Sequence, residues 1–466
     1  MRKLLIGGKL VEGARTLDVT NPATGRLLET ISCADEAQLN LAISAAKKAF
    51  PSWAAKPHAE RSKYLLAMAD AVEGRKDDFV RALTSEQGKP TGQASREVMA
   101  TIGGLRGYAA LDTPLRVLKE SDKNRVLEHR TPLGVVAAIA PWNFPLMILT
   151  NKIAPALISG NTVIGKPAPT TPITALMLGE IASEILPEGV LSIIVDNNDL
   201  GAQLSSHPDV AKVSFTGSTA TGKKVMASGA DSLKRITLEL GGNDAALVLD
   251  DADIGAIAPK LFATSMFNSG QVCIAVKRIY APRDKYDELC DALAKLADEA
   301  IVDDGSKQGT QFGPVQNKMQ FEKLQEFLQD ARESGKIIAG GESIERDGYF
   351  IRPTIVRDVP DDAKIVREEQ FGPILPVLAY DEVEDAIERI NDTEYGLGGS
   401  VWSSDVERAT DIAMRIDSGT VWVNQHIDLP FDVPFGGAKQ SGIGREKGLV
   451  GLEEYSQPKV INVALN

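Results

Sequence analysis

Gly134-Val135-Val136-Ala137-Ala138-Ile139-Ala140 is an unbroken apolar run, and it decides the fold. A strand with one face in water alternates with period two, whereas a strand buried on both faces of a parallel sheet does not. Downstream the same logic repeats. The stretch 148–158 reads as a helix, 161–165 as a strand, 173–185 as a helix, 190–195 as a strand, and 212–215 as a strand running into Gly217. Strands alternating with helices over about 100 residues imply a doubly wound α/β sheet. Past Gly242 a second α/β series opens with Ala245-Ala246-Leu247-Val248-Leu249. A helix is expected before Cys273, and amphipathic helices over 287–300 and 319–334.

Upstream of the run, residues 1–30 alternate short apolar groups with turn formers such as Gly7-Gly8 and Asn21-Pro22-Ala23-Thr24-Gly25, the pattern of short strands and hairpins. Leu39, Ile43, Ala46 and Phe50, then Leu65, Met68 and Val72, recur at helical spacing. A further helix carries Phe79 and Leu83 and stops at Gly88-Lys89-Pro90. Two stretches stay without partners: the β-compatible 116–130 and the C-terminal Val460-Ile461-Asn462-Val463-Ala464-Leu465. Neither can bury both faces against its own neighbours, so each needs strands from elsewhere.

A chain of 466 residues is too long for one ordinary core, so two or three domains are expected. The net charge of −13, with no clustered basic surface, argues against nucleic acid and anionic membrane as partners. After Met1-Arg2-Lys3 the apolar run ends at Ile6, short of the roughly 7 to 15 residues of a secretory segment, and no run approaches the roughly 20 of a membrane span. Cys33, Cys273 and Cys290 are widely spaced, without C-x-x-C pairing, so a reducing, cytoplasmic setting is expected. His58, His129, His207 and His426 show no ligand spacing, and no metal is expected.

Three segments carry chemistry. Phe267-Asn268-Ser269-Gly270-Gln271-Val272-Cys273-Ile274-Ala275 holds a thiol, Leu238-Glu239-Leu240-Gly241-Gly242 a carboxylate, and Pro141-Trp142-Asn143-Phe144-Pro145 a side-chain amide. A thiolate adds to a carbonyl without a metal, an amide N–H stabilises the oxyanion that forms, and a carboxylate takes a proton from the water that cleaves a thioester. Each has a plainer reading: a small buried hydrophobe, an edge glutamate facing solvent, a turn asparagine. Phe215-Thr216-Gly217-Ser218-Thr219-Ala220-Thr221-Gly222 joins a strand to a helix. It is weak as a bare pattern, but its small residues open a helix N-terminus able to hold a pyrophosphate.

Together, and in this order, the segments resemble the signatures of the NAD(P)-dependent aldehyde dehydrogenase superfamily over nearly the whole chain. The resemblance puts Cys273 at the nucleophile, Glu239 at the general base and Asn143 at the oxyanion donor. It implies a Rossmann-like cofactor domain over 1–113 and 133–241, an α/β catalytic domain over 242–448, and a small β oligomerisation element from 114–132 and 449–466. Homodimers or homotetramers are expected through that element.

For the cofactor, the resemblance selects Ile139, Pro141, Trp142, Lys166, Pro169, Thr216, Gly217, Ser218, Leu240, Glu369 and Phe371. Many NAD-preferring members carry a glutamate at the Pro169 position, which leaves NAD against NADP open. For the substrate pocket it selects Phe144, Met147, Phe267, Val272, Ile274, Leu429, Phe431 and Phe435, with 424–433 over the entrance. The pocket is apolar and no arginine is placed to clamp a second carboxylate, so a neutral aliphatic or aromatic aldehyde is expected. Glu239 is missing from relatives that pass the acyl group to coenzyme A, so release of the free acid is expected. Acyl transfer or hydrolysis by a Cys273–His426 pair without redox is the rival reading. A fold retained without catalysis is another, and would show a missing Cys, Glu or Asn.

Overall fold

The computed structural model describes residues 1–465; Asn466, the last residue of the expected 449–466 element, lies outside them. Val135–Ile139 is a central strand with all five residues buried. Thr162–Lys166 and Val210–Thr216 flank it, both parallel to it, with Ile139 opposite Lys166 on one side and Phe215 on the other. Leu191–Ile193 continues the sheet beyond the first neighbour and Arg235–Glu239 beyond the second. The carboxyl ends of the parallel strands therefore share one edge, where doubly wound sheets bind their ligands.

The helix expected to start at Ile148 begins at Pro145 and runs to Ile158, because a proline in the first turn gives up only an N–H that has no helical partner. Ile173–Ile185 is a helix as read, and Gly88 caps the helix Lys76–Gln87 in the left-handed conformation. At the far edge, Leu4–Ile6 and Lys9–Val11 form a hairpin whose turn residues Gly7 and Gly8 sit at φ +60° and +85°, the signs a two-residue hairpin turn demands.

The second sheet has seven strands in the order Lys336–Ala339, Thr354–Arg357, Ile374–Tyr380, Arg278–Pro282, Ala245–Val248, Gly398–Trp402, Thr420–Val423. The helices Arg283–Asp298 and Lys318–Ser334 cover it. The two unpartnered stretches find each other. Ser456–Ala464 runs antiparallel to Asn124–Pro132, which pairs in turn with Arg116–Glu120.

Gly442–Ile443, expected with the catalytic domain, instead pairs antiparallel with Leu238 and Glu239 on the edge of the first sheet. The return of this short strand stitches the two sheets together at Glu239. Among the described residues no helix is long and apolar enough to cross a membrane.

Candidate active site

Glu239 ends its strand between Val210–Thr216 and Gly442–Ile443. Its side chain is buried and neither carboxylate oxygen has a hydrogen-bond partner. Burial first, and the charge of Glu446 second, push its pKa well above the usual carboxylate range, against the pull of Lys152, Arg445 and Lys447. Burial of this kind favours the protonated carboxyl over the carboxylate.

Cys273 owes its position to a compressed turn. The helix Ile254–Met266 ends and the chain reverses through Asn268 and Ser269, at φ +50° and +55°, and Gly270 at +72°. A Cβ on Gly270 would stand 2.2 Å from the Gly372 carbonyl oxygen, so only glycine fits. Gly270→Ala is expected to destabilise the protein by about 2 to 4 kcal/mol through combined clash and left-handed strain. A melt reads this directly, and an unchanged melting temperature would show that the turn can relax.

Side chains fasten the rest of the loop. Gln271 Nε2 donates to Asn268 O at 2.9 Å and its Oε1 accepts from Gln316 N at 2.8 Å, while Ser269 Oγ donates to Gly313 O at 2.8 Å. Lys277 Nζ donates to Val272 O at 2.9 Å and to Cys273 O at 2.5 Å. The thiol is pushed up to about 12, by burial above all, with Lys277 pulling it down and Glu369, Asp244 and Glu239 adding to the rise.

Asn143 is buried beside that loop. Its Nδ2 donates to Gln271 O at 3.0 Å and its Oδ1 accepts from Phe144 N at 3.1 Å, which aims the amide at the chain two residues before the sulfur. Phe144, Val272, Ile274 and Phe435 are buried in one apolar cluster with Leu397 and Trp422, and Met147, Phe267, Leu429 and Cys273 pack on it half-buried. Phe144 and Phe267 stack at 6.0 Å. Phe431 packs its ring edge-on to Tyr108 at 4.7 Å over Gly107. Trp422, unassigned by sequence reasoning, anchors the 424–433 segment through Nε1 to Asp428 O at 2.7 Å. Its one legible signal was an aromatic residue in the apolar run Thr420-Val421-Trp422-Val423 just before that segment.

Four of the expected cofactor residues fall on the carboxyl edge of the first sheet. Ile139, Lys166 and Thr216 end adjacent strands, and Leu240 follows the next. Gly217 N donates to Glu239 O at 3.0 Å, and Ser218 caps the helix Thr219–Gly229 through Thr221 N at 3.3 Å. The Thr216 hydroxyl is buried without a partner. Trp142, next to Pro141, meets Phe371 edge to face at 5.3 Å. Glu369 accepts from Gly242 N at 3.1 Å and lies 3.5 Å from Lys277. Lys166 pairs with Asp196 at 2.6 Å, both side chains almost wholly buried, and Pro169 lies half-buried in the loop beyond.

His426, which a redox-free Cys–His chemistry requires as base, shares its Nε2 with Ile274 O at 2.8 Å and lies 3.6 Å from Asp244. That nitrogen is turned to the main chain rather than to sulfur. Lys277 went unread, standing with Arg278 at the end of the apolar run Val272-Cys273-Ile274-Ala275-Val276.

The model of the aldehyde dehydrogenase family matches residues 10–461. Aldehyde dehydrogenase LUC3 of Fusarium sp is 39% identical, over 98% of this chain and 97% of its own length. The NAD+ complex structure of aldehyde dehydrogenase from Bacillus cereus superposes with a TM-score of 0.97 at 35% identity, covering 100% of this chain and 96% of that one. An E. coli NADP-dependent enzyme does so at 0.96 and 34%, covering 100% and 98%.

Proposed function

The chain belongs to the aldehyde dehydrogenase family, and from that premise we propose that it oxidises an aldehyde to the free carboxylic acid with NAD(P), through a thiohemiacetal and a thioester on Cys273. One observation carries the reading: the Asn143 amide is bonded to the loop of Cys273, and Glu239 is buried with neither oxygen partnered.

With its proton lost to water, the Cys273 sulfur adds as the thiolate to the carbonyl carbon as the C=O π pair moves onto oxygen. The second N–H of the Asn143 amide and the Cys273 N–H donate to that oxyanion, at a worth of about 3 kcal/mol for one preorganised donor. When bound, the nicotinamide accepts the hydride that turns the thiohemiacetal into the thioester. Glu239 then takes a proton from water, the water oxygen bonds to the acyl carbon, the C–S bond breaks, and acid leaves.

The sheet edge fits a dinucleotide. An unpartnered Thr216 hydroxyl, a turn at Gly217 where a Cβ would meet the Phe215 ring at 2.5 Å, and the capped helix start at Ser218 suit a pyrophosphate. Lys166 is assigned to the adenosine ribose and Glu369 to the nicotinamide ribose. The buried carboxylate of Asp196 cancels the Lys166 charge that a 2′-phosphate would need, so NAD is the preferred cofactor and NADP the weaker one. The apolar cluster at Cys273 supports a neutral aliphatic or aromatic aldehyde.

Pairing of copies into a homodimer or homotetramer is assigned to the three-stranded sheet, whose Val460, Val117 and Leu118 are exposed. Three free thiols suit a reducing cytoplasm. A panel of neutral and carboxylate-bearing aldehydes, assayed with NAD and NADP in parallel, tests the whole reading. The expected outcome is one NADH per acid formed and a faster reaction with NAD; acid without NADH would overturn it. Asp196→Asn should move the NADP-to-NAD ratio of kcat/KM up by about tenfold, the effect of one nearby charge worth about 1.4 kcal/mol.

A further inference from the structure

Lys89 lies far from the three catalytic segments in sequence, directly after the glycine that ends the helix Lys76–Gln87. Its side chain is wholly buried and forms an ion pair of 2.6 Å with Glu97, which is equally buried. Charged side chains are almost never buried this fully without a specific partner to satisfy. Here the partner is Asn143. Lys89 Nζ donates to Asn143 O at 2.8 Å and stands 3.9 Å from the centroid of the Phe144 ring. Asn268, from the nucleophile turn, donates its Nδ2 to the same carbonyl at 3.1 Å.

Glu97 completes the clamp from the other side. One of its oxygens takes Lys89, and the other accepts from Leu146 N at 3.1 Å and Met147 N at 3.2 Å. Those are two of the orphan donors of the helix Pro145–Ile158, which begins two residues after Asn143. The peptide following Asn143 is thus held at its oxygen by an ammonium and an amide, and the next turn is held by a carboxylate. From the backbone held on both sides, the Asn143 side chain reaches Gln271 O with its Nδ2 at 3.0 Å and takes Phe144 N on its Oδ1 at 3.1 Å.

We propose that Lys89 and Glu97 are positioning residues that hold the Asn143 amide on the reacting carbonyl. The inference rests on the reading of Asn143 as oxyanion donor. It goes beyond that reading by naming what sets the donor's place, and misplacement by about 1 Å costs on the order of a hundredfold in rate.

The test is a double-mutant cycle on the first-turnover NADH burst. The paired change Lys89→Met with Glu97→Gln leaves no lone buried charge, and should slow the burst by about a hundredfold. NAD affinity and the rate of Cys273 alkylation by iodoacetamide, which forms no oxyanion, should be unchanged. Asn143→Ala alone should slow the burst by a similar factor, and adding the paired change to it should cause little further loss, because the two act as a unit. Glu97→Gln alone can keep its one oxygen on the two N–H groups, but its amide NH2 then faces the Lys89 ammonium, so this single change leaves a lone buried charge and should slow the burst by at least as much as the paired change.

An unchanged burst in the paired variant, or losses that multiply with Asn143→Ala, would overturn the proposal while leaving Asn143 as donor. A full burst in Asn143→Ala would overturn the donor reading and this proposal with it. If the paired variant is not recovered folded, Lys89→Arg, which keeps the charge but moves it off the Asn143 carbonyl, is read by the same cycle and the same outcomes.

Discussion

Cys273→Ala is expected to lower NADH formation from aldehyde by about ten-thousandfold or more while leaving NAD binding intact, because removing a covalent nucleophile removes the path rather than weakening it. No other thiol can take over. Cys33 is buried at the end of the strand Arg26–Cys33, which pairs with Arg15–Asn21, and Cys290 is buried in the helix Arg283–Asp298, where its pKa is pushed up to about 12 by burial. The groups assigned to the cofactor, from Ile139 to Ser218, lie on the edge of the other sheet and do not lean on the sulfur. Loss of turnover should therefore come without loss of affinity. Absorbance of NADH in an aldehyde assay and calorimetric titration with NAD separate the two quantities. Turnover retained within tenfold in the variant would refute Cys273 as nucleophile, and affinity lost together with turnover would point to a misfolded site.

What could be read from the chain divides along the range of the interactions. Val135–Ile139 and the helix Ile173–Ile185 were legible because burial on both faces of a strand, or over most of a helix, writes itself into consecutive apolar residues. Gly442–Ile443 was not. Two residues carry no period, and their pairing with Leu238 and Glu239 closes a loop of some two hundred positions. Lys89 was visible only as the lysine between a helix-stopping glycine and a proline, since nothing local says that its ammonium ends on a carbonyl 54 positions away.

The three reacting groups are a middle case. Residue chemistry suggested them, yet their meeting depends on Asn143 reaching Gln271 across 128 positions. Phe431 was placed in the pocket along with its neighbour Leu429. Its ring packs on Tyr108, and the segment around Ile427, at φ +70°, carries no period from which that contact could be read.

Glu239→Gln should split the reaction in time: a full first burst of about one NADH per site, then steady turnover lower by about a thousandfold, within the range that a positioned general base supplies. The amide is nearly the shape of the acid, and in this site neither oxygen holds a partner that the change would orphan. The loss is therefore chemical rather than structural. Glutamine cannot take a proton from water, so the thioester on Cys273 should accumulate and be trapped by hydroxylamine.

The pH dependence follows from the burial that raises the Glu239 pKa well above the ordinary carboxylate value, with the charge of Glu446 adding to it. Below that raised value Glu239 holds its proton and cannot act as base, so wild-type steady turnover should climb with pH through it, and the variant should lack that limb. Stability moves in the opposite sense. Between the unfolded and the folded pKa the native state binds the extra proton, so this site contributes less stability as pH rises across that window. The variant, never charged there, should melt at an increasing margin above the wild type. A variant whose burst disappears along with its turnover would assign Glu239 to thiol activation instead, and a variant with the same pH limb as the wild type would remove it from the titrating step altogether.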